Sequence, residues 1–523
     1  MTCHRAQRLC PVFCAASLAA CLAVCLALCL ALCLAGCAAG PDYQAPQPVL
    51  PSAYGTVPTA GTVTTSGGAT EAADLNLWWR ALQDTELDSL VERAVKANPD
   101  LLIALAHLQE ARTQEAGLTG ALLPSVSADA IGGGGTGSDL SRAGGIAPLR
   151  AADNKGSLAQ IRQVAGFSAS WELDVFGGYR RQREASRDAV GAAIATRNAA
   201  LTSVIGDLAR DYLLLRGLQQ REQLLQADIQ AATQSRNLQR ARVERGIVNE
   251  LDLQLTEREL GILRAQQPLL LSQITAAQGS IAALLGVYPE DLASELARPA
   301  PLPGHLPEVA AGVPPDLLRR RPDIMAAERR LAGATASIGI ATAQLFPQLM
   351  LTGASGIQAA TPGLSGNHIW AAGPALYWPL LDFGQLDAQV SVAGLKAREQ
   401  LQAYRRTVIH AVVDADRAIA DYQAQQQRLQ ELGLALKASL RAEDLAQQRY
   451  DRGLTDYLNV VDSQRQRYAL EENYNSAREA AASAFVTLCQ ALGGGWQTFQ
   501  DVPPIRHPLP AVVAGLKHAF SSD

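Results

Sequence analysis

A long segment of this chain occurs twice. Trp171 to Gly286 returns without a gap as Trp378 to Gly493, an offset of 207 residues. WELDVFG at Trp171 to Gly177 answers WPLLDFG at Trp378 to Gly384, RVERGI at Arg242 to Ile247 answers RYDRGL at Arg449 to Leu454, and Leu285-Gly286 answers Leu492-Gly493. A second register carries the copy toward the N-terminus, since Pro99-Asp100 stands 25 positions before Pro124 and Pro322-Asp323 as far before Pro347. A unit of about 190 residues is far too long for a solenoid repeat, so each copy is a whole supersecondary assembly and the chain a pseudo-twofold object.

The first residues state an address. Arg5 and Arg8 precede an apolar run from Pro11 to Leu34, and Leu34-Ala35-Gly36-Cys37 closes it. The ending resembles a bacterial lipobox, with cleavage before Cys37 and acylation of its sulfur; an ordinary signal peptide or a membrane anchor is the alternative. Each buried acyl CH₂ contributes about 0.8 kcal/mol, so several chains hold a protein on a membrane almost permanently. Ala38 rather than Asp follows the cysteine, which by the same resemblance favours delivery to the outer membrane. Eight of the nine cysteines lie at or before Cys37, leaving Cys489 unable to form a disulfide within the rest of the chain. Without Arg5 and Arg8, 43 basic side chains face 50 acidic ones, which excludes nucleic acid as a partner by charge.

Punctuation sets the organisation. Residues 1–36 read as the signal, 37–75 as a lipidated linker, 76–290 as the first repeat, 291–313 as a connection, 314–496 as the second repeat and 497–523 as a tail. Gly40 to Glu71 is rich in Pro, Gly and Thr, and an extended Cys37–Leu75 span of about 120 Å would let the anchor lie far from the body. Helical periodicity begins after Asp84, breaks at Asn98-Pro99, and resumes to about Thr119, with a counterpart from Pro322 to about Gln344. After Gly177-Gly178 no proline occurs until Pro268. The chain therefore predicts one very long helix, Arg181 to Arg245, a turn at Gly246, and a returning helix of half the length, Glu250 to Leu285, that Pro268 kinks or repacks. Gln385 to Arg452 and Asp456 to Leu492 repeat the pair. Helices this long must bury their apolar stripes on other helices.

Between helices the period changes to two. Phe167, Ala169, Trp171, Leu173 and Val175 alternate with Ser168, Ser170, Glu172 and Asp174, and Val126, Ala128 and Ala130 alternate with Ser125, Ser127 and Asp129. The glycine-rich stretch Gly132 to Gln160 reads as their loop and absorbs the 16 residues by which the two registers differ. The second copy has strands near Gln348–Gly356 and Ile369–Leu381, the latter weakened by Pro374 and Pro379. Four strands of about ten residues fit a bilayer in length but cannot close a barrel, and an open edge in lipid leaves backbone groups unpaired. Two copies would supply eight strands and three would supply twelve; periodicity does not choose.

The stretch PPDLLRRRPDIMAAERRLAGATASIGIATAQLFPQLMLTG, Pro314 to Gly353, resembles the TolC-type outer-membrane factors, in particular their NodT and OprM-like lipoprotein branch, as do the LAGC lipobox followed by GPDY, the Trp78-Trp79 pair and the two Leu-Gly helix endings. The resemblance implies an α+β membrane protein: a homotrimer with a twelve-stranded outer-membrane β-barrel continued by a periplasmic α-helical barrel. It also implies an exit duct for small molecules, coupled through a periplasmic adaptor protein to an inner-membrane resistance-nodulation-division (RND) pump. The adaptor would meet the hairpin tips at Arg245, Gly246, Ile247 and Val248 and at Arg452, Gly453, Leu454 and Thr455. Asp252, Tyr450, Asn459 and Asp462 would form the periplasmic gate, with Tyr450 tying neighbouring hairpins through the carboxylate of Asp252 and Asp462 ringing the axis. Plain turns and solvated helix-face carboxylates are the bland reading of the same residues. A structural lipoprotein spanning the periplasm, or a duct for protein secretion, is the alternative function.

Enzymatic motifs fail. The Gly132–Gly135 run lacks a following Gly-Lys-Ser/Thr, the seven histidines are dispersed without a metal-ligand pattern, and no Gly-x-Ser-x-Gly stands on a strand-to-helix turn. The sequence predicts no enzyme, no metal and no cofactor.

Overall fold

A computed structural model describes residues 38–55, 74–135, 160–304, 306, 307, 309, 314–359 and 367–500. Cys37, residues 56–73 of the linker, both strand-connecting loops and the tail beyond residue 500 lie outside them. The described chain forms helices α1 (Thr85–Ala97) and α2 (Pro99–Ala121), strands β1 (Ser125–Gly135) and β2 (Gln160–Leu173), α3 (Gly178–Glu244), α4 (Glu250–Leu285) and α5 (Pro289–Leu296); then α6 (Pro322–Ala343), β3 (Gln348–Ala359), β4 (Asn367–Tyr377), α7 (Gln385–Asp451) and α8 (Tyr457–Ala491). The order helix, hairpin, long helix, half-length helix occurs twice, and α3 and α7 each hold 67 residues. The repeat is also written in the backbone: Gly177, Gly246 and Gly286 have φ of 78°, 70° and 68°, and their partners Gly384, Gly453 and Gly493 have 83°, 69° and 78°.

Two compact units divide the chain, with α2, α3, α6 and α7 contributing residues to both. The first holds the sheet. Its order is β1-β2-β3-β4, antiparallel throughout, so β2 and β3 join the two copies edge to edge. Register puts Val126 beside Ala169, Ala128 beside Phe167, Trp171 beside Leu351, and Leu349 beside Leu376 on one face; Ser127 beside Ser168 and Ser170 beside Thr352 lie on the other. The apolar face is open to the surroundings, with Phe167 at 66 % and Trp370 at 73 % exposure. On the polar face Ser127, Ser168 and Asp129 hydrogen-bond one another. Among the described residues the outer edges of β1 and β4 have no strand partner.

Several expectations need correction. Gly132 to Gly135 belong to β1 rather than to a loop, pairing with Gln163 to Gln160; ladder bonds use the backbone, which glycine supplies as well as any residue. β4 runs Asn367–Tyr377 and stops short of Leu381, since Pro379 lies just beyond it, while Pro374 lies within it opposite Leu351. Residues 39–42, at the start of the expected linker, are not a free tether. Ala39 N–H donates to the Phe176 carbonyl (2.9 Å), and the buried Arg181 guanidinium donates to the carbonyls of Ala39 and Gly40 and to Asp42 (2.6 Å). A buried guanidinium requires this many acceptors, and the Pro-rich segment supplies them with its free carbonyls. The connection 291–313 opens inside α5. The strand feet repeat faithfully: the indole N–H of Trp171 donates to the Leu122 carbonyl, and that of Trp378 to Leu345.

The second unit is helical, its core set by α3, α8 and the Trp78-Trp79 pair. Trp78 meets Phe485 edge-on at 6.2 Å and Trp79 stacks on Phe499 at 6.0 Å. The buried Arg216 ties α3 to Glu86 of α1 and to the Arg298 carbonyl. The short helices meet end to end. Asn98, just before α2, donates to the carbonyl of Leu284 (2.8 Å) near the end of α4 and caps α2 by accepting from Leu101 N–H (3.0 Å). Arg321, its counterpart, donates to the carbonyl of Ala491 (3.1 Å) near the end of α8. Leu284 and Ala491 are repeat equivalents, so one acceptor serves two chemically different donors. α4 continues through Pro268 as a single helix.

Candidate functional site at the hairpin tips

Both long helices end in the same way. Gly246 N–H donates to Val243 and Ile247 N–H to Arg242, while Gly453 and Leu454 donate to Tyr450 and Arg449, which is the paired 5→2 and 6→1 bonding of a Schellman turn. The left-handed φ at each glycine is what closes such a turn, and a Cβ there would meet nothing within 4 Å. Arg245, Arg452, Ile247 and Leu454 are exposed, the last two at 65 % and 63 %; Val248 and Thr455 are half-buried. The returning helices begin differently. Asn249 caps α4 by accepting from Leu251 N–H (2.6 Å), whereas its counterpart Asp456 makes no side-chain cap bond on α8.

Tyr450 projects from α7 onto α3. Its hydroxyl accepts from Arg242 (3.1 Å) and Gln239 (3.5 Å), and the Arg242 guanidinium lies 5.7 Å from the ring centroid. The described bonds of this hydroxyl lead to Arg242 and Gln239 rather than to Asp252, the partner that the family resemblance suggests. Asp252 is half-buried, and burial together with the charge of Asp456 raises its pKa above the ordinary aspartate value. Asn459 donates to Thr455 (2.5 Å), and exposed Asp462 accepts from Gln466 (2.8 Å). Cys37 lies outside the described residues.

Sequence reasoning missed Tyr457, the first residue of α8. It is 4 % exposed, its ring lies 5.1 Å from that of Tyr450, and its hydroxyl is 2.6 Å from the Ser235 hydroxyl of α3. The signal was available: Tyr450 and Tyr457 flank the Gly453 turn, where the first copy has Val243 and Glu250. Farther from the tip, Arg467 of α8 is held by Asp228 of α3 (2.8 Å), Glu443 of α7 (2.7 Å) and Glu471, and lies 4.2 Å from the Tyr468 ring centroid. Burial opposes the charge on Arg467, but the three carboxylates prevail and raise its pKa; burial also raises Asp228 and Glu471 despite the guanidinium beside them. One cation thus cross-links three helices. Among the described residues no cluster of His, Cys, Asp or Glu has the arrangement of a metal site.

Comparison with known proteins gives this architecture a family. The family model for outer membrane efflux proteins matches residues 90–287 and 313–494, the two repeats. The pyoverdine export outer membrane protein OpmQ of Pseudomonas putida is 31 % identical over 86 % of this chain and 94 % of its own length. The toluene efflux pump outer membrane protein TtgF, also of Pseudomonas putida, is 30 % identical over 88 % and 95 %. Among solved structures, the outer-membrane channel OprN superposes with a TM-score of 0.76 at 32 % identity, covering 88 % of this chain and all of that one. The open-state MtrE outer membrane channel of Neisseria gonorrhoeae gives 0.73 at 26 %, covering 89 % and 100 %. The chain belongs to the outer membrane efflux protein family, and it works as an efflux channel protein in the outer membrane.

Proposed function

We propose that three copies close their sheets into a twelve-stranded barrel whose apolar face meets lipid, continued into the periplasm by the helical hairpins as a passive duct gated at the tips. The single observation that carries this reading is the sheet itself: four strands with an exposed apolar face, a polar opposite face and two unpartnered edges. Unpaired strand edges are untenable in hydrocarbon, so the sheet needs partner sheets, and three such sheets give the count implied by the family. Apolar side chains left exposed on the long helices, such as Leu269 and Leu271 on α4 and Leu440 and Leu445 on α7, fit further copies of the chain. Acylation of Cys37 fits as well, because the pinning of Ala39 at the end of β2 would bring acyl chains to the foot of the sheet.

The duct takes small organic molecules from an inner-membrane RND pump through a periplasmic adaptor that docks on residues 245–248 and 452–455. The named exports of the relatives, pyoverdine and toluene, are of that kind. The duct contributes no catalysis. Tyr450, held by Arg242, keeps the two tips of one chain together, and Asp252, Asn459 and Asp462 line the constriction, where repeated carboxylates favour cations. The test is single-channel conductance of the purified protein in planar bilayers. A small cation-preferring conductance is expected, larger in Tyr450→Phe and less cation-selective in Asp462→Asn. Folded trimers that conduct nothing in any variant would overturn the duct.

A further inference from the structure

Helix α3 turns three polar side chains, Ser235, Gln239 and Arg242, toward the tyrosine pair of the second hairpin. Spaced four and three residues apart, they share one helical face. Arg242 and Gln239 reach Tyr450, but the shortest contact of the set belongs to Tyr457, whose hydroxyl stands 2.6 Å from Ser235. Thr256 of α4 lies 3.5 Å from the same hydroxyl, so Tyr457 touches both helices of the first hairpin. Its ring is packed with Val460, Val461 and Tyr450. Tyr457 is the first residue of α8, directly after Asp456.

Gln239 has the opposite character. It is 1 % exposed, its Nε2 donates to Tyr450 at 3.5 Å, and its Oε1 has no partner. Exchanging the two ends of the amide would only move the deficit from one atom to the other. A buried polar atom without a partner carries a desolvation penalty that water relieves as soon as the hairpins part.

We propose that Tyr457 is a positioning residue of the gate: its hydroxyl bond to Ser235 latches the two hairpins of one chain, and the half-paired Gln239 amide is the counterweight that keeps the latch releasable. The inference rests on the reading that the tips gate the duct. Tyr457→Phe removes the hydroxyl and leaves the ring, so the apolar packing persists. One net hydrogen bond corresponds to about a fivefold shift in an equilibrium.

Single-channel recording of the full-length assembly tests this with Tyr457→Phe, Ser235→Ala, their double variant, Gln239→Met and Tyr450→Phe. Open probability is expected to rise about fivefold in Tyr457→Phe and in Ser235→Ala, to rise no further in the double variant, and to fall in Gln239→Met. Thermal denaturation on the same samples confirms that each variant is folded and assembled. An opening Tyr450→Phe beside an unchanged Tyr457→Phe would overturn the latch and leave the tip gate standing. Conducting channels in which no tip variant changes open probability would overturn the tip gate itself. A rise in Gln239→Met would overturn the counterweight.

Discussion

Alanine at four repeat-related glycines separates backbone strain from packing. Gly246 and Gly453 at the tips, and Gly286 and Gly493 at the helix junctions, all lie between φ 68° and 78°. The left-handed penalty for a Cβ is therefore similar at all four, about 1–2 kcal/mol. The space around them differs. Nothing approaches a Cβ at either tip, whereas at Gly286 it would lie 2.8 Å from the Ala97 carbonyl oxygen, and at Gly493 2.8 Å from the Arg320 carbonyl. Those oxygens cannot retreat easily, because Asn98 and Arg321 pin the junctions to the carbonyls of Leu284 and Ala491. Forcing atoms into such a site adds about 1–3 kcal/mol. Gly246→Ala and Gly453→Ala should thus lose about 1–2 kcal/mol, and Gly286→Ala and Gly493→Ala about 2–5 kcal/mol. Unfolding of a membrane assembly is commonly irreversible, so the assay is the rate of loss of helical circular dichroism in urea and detergent, where 1.4 kcal/mol reads as about tenfold. Equal rates in all four variants, or tip variants faster than junction variants, would refute the end-to-end junctions.

Three further outcomes are expected. Arg467→Met leaves Asp228, Glu443 and Glu471 without their shared cation, a loss of about 3–5 kcal/mol at neutral pH. Because burial raises the folded pKa values of Asp228 and Glu471, that penalty should be least where these carboxyls are protonated and grow as pH rises through the folded values; a urea midpoint that ignores pH would contradict this. Asp252 follows the same sign. Its raised pKa favours the packed tip when the carboxyl is protonated, and this support is lost as pH rises through the folded value, so conductance should climb over that window. Asp456→Asn should move the midpoint downward, and a conductance–pH profile with an unmoved midpoint would show that Asp456 has no part in it. Arg181→Ala removes the donors that hold Ala39, Gly40 and Asp42. Limited proteolysis should then cut residues 38–55 faster, and an unchanged cutting rate would mean that the segment is held by something else.

The repeat, the strand alternation and the proline-free run made the element order readable, because each is a local pattern with a fixed period. Glu250–Leu285 was legible to the residue, since Asn249 caps one end and Gly286 closes the other. Contacts were harder. That β2 pairs with β3 depends on residues far apart in sequence, and nothing in either strand names its neighbour. The docking of the segment after Cys37 depends on Arg181, whose partners precede it by about 140 positions. The tip turns were visible as glycines after arginines, but the side-chain network behind them was not: Tyr450 went to a cation and an amide of α3, and Tyr457 lay in a run of residues that a helical pattern alone does not mark out.

Native mass spectrometry of the intact protein, extracted from outer membranes in mild detergent, tests the central claim most directly. Three copies of the chain beginning at Cys37 are expected, each heavier than its polypeptide by acyl groups. A monomer that still inserts in bilayers would contradict the paired sheet edges, because they would then stand open in lipid, and a stable dimer would contradict the count of three.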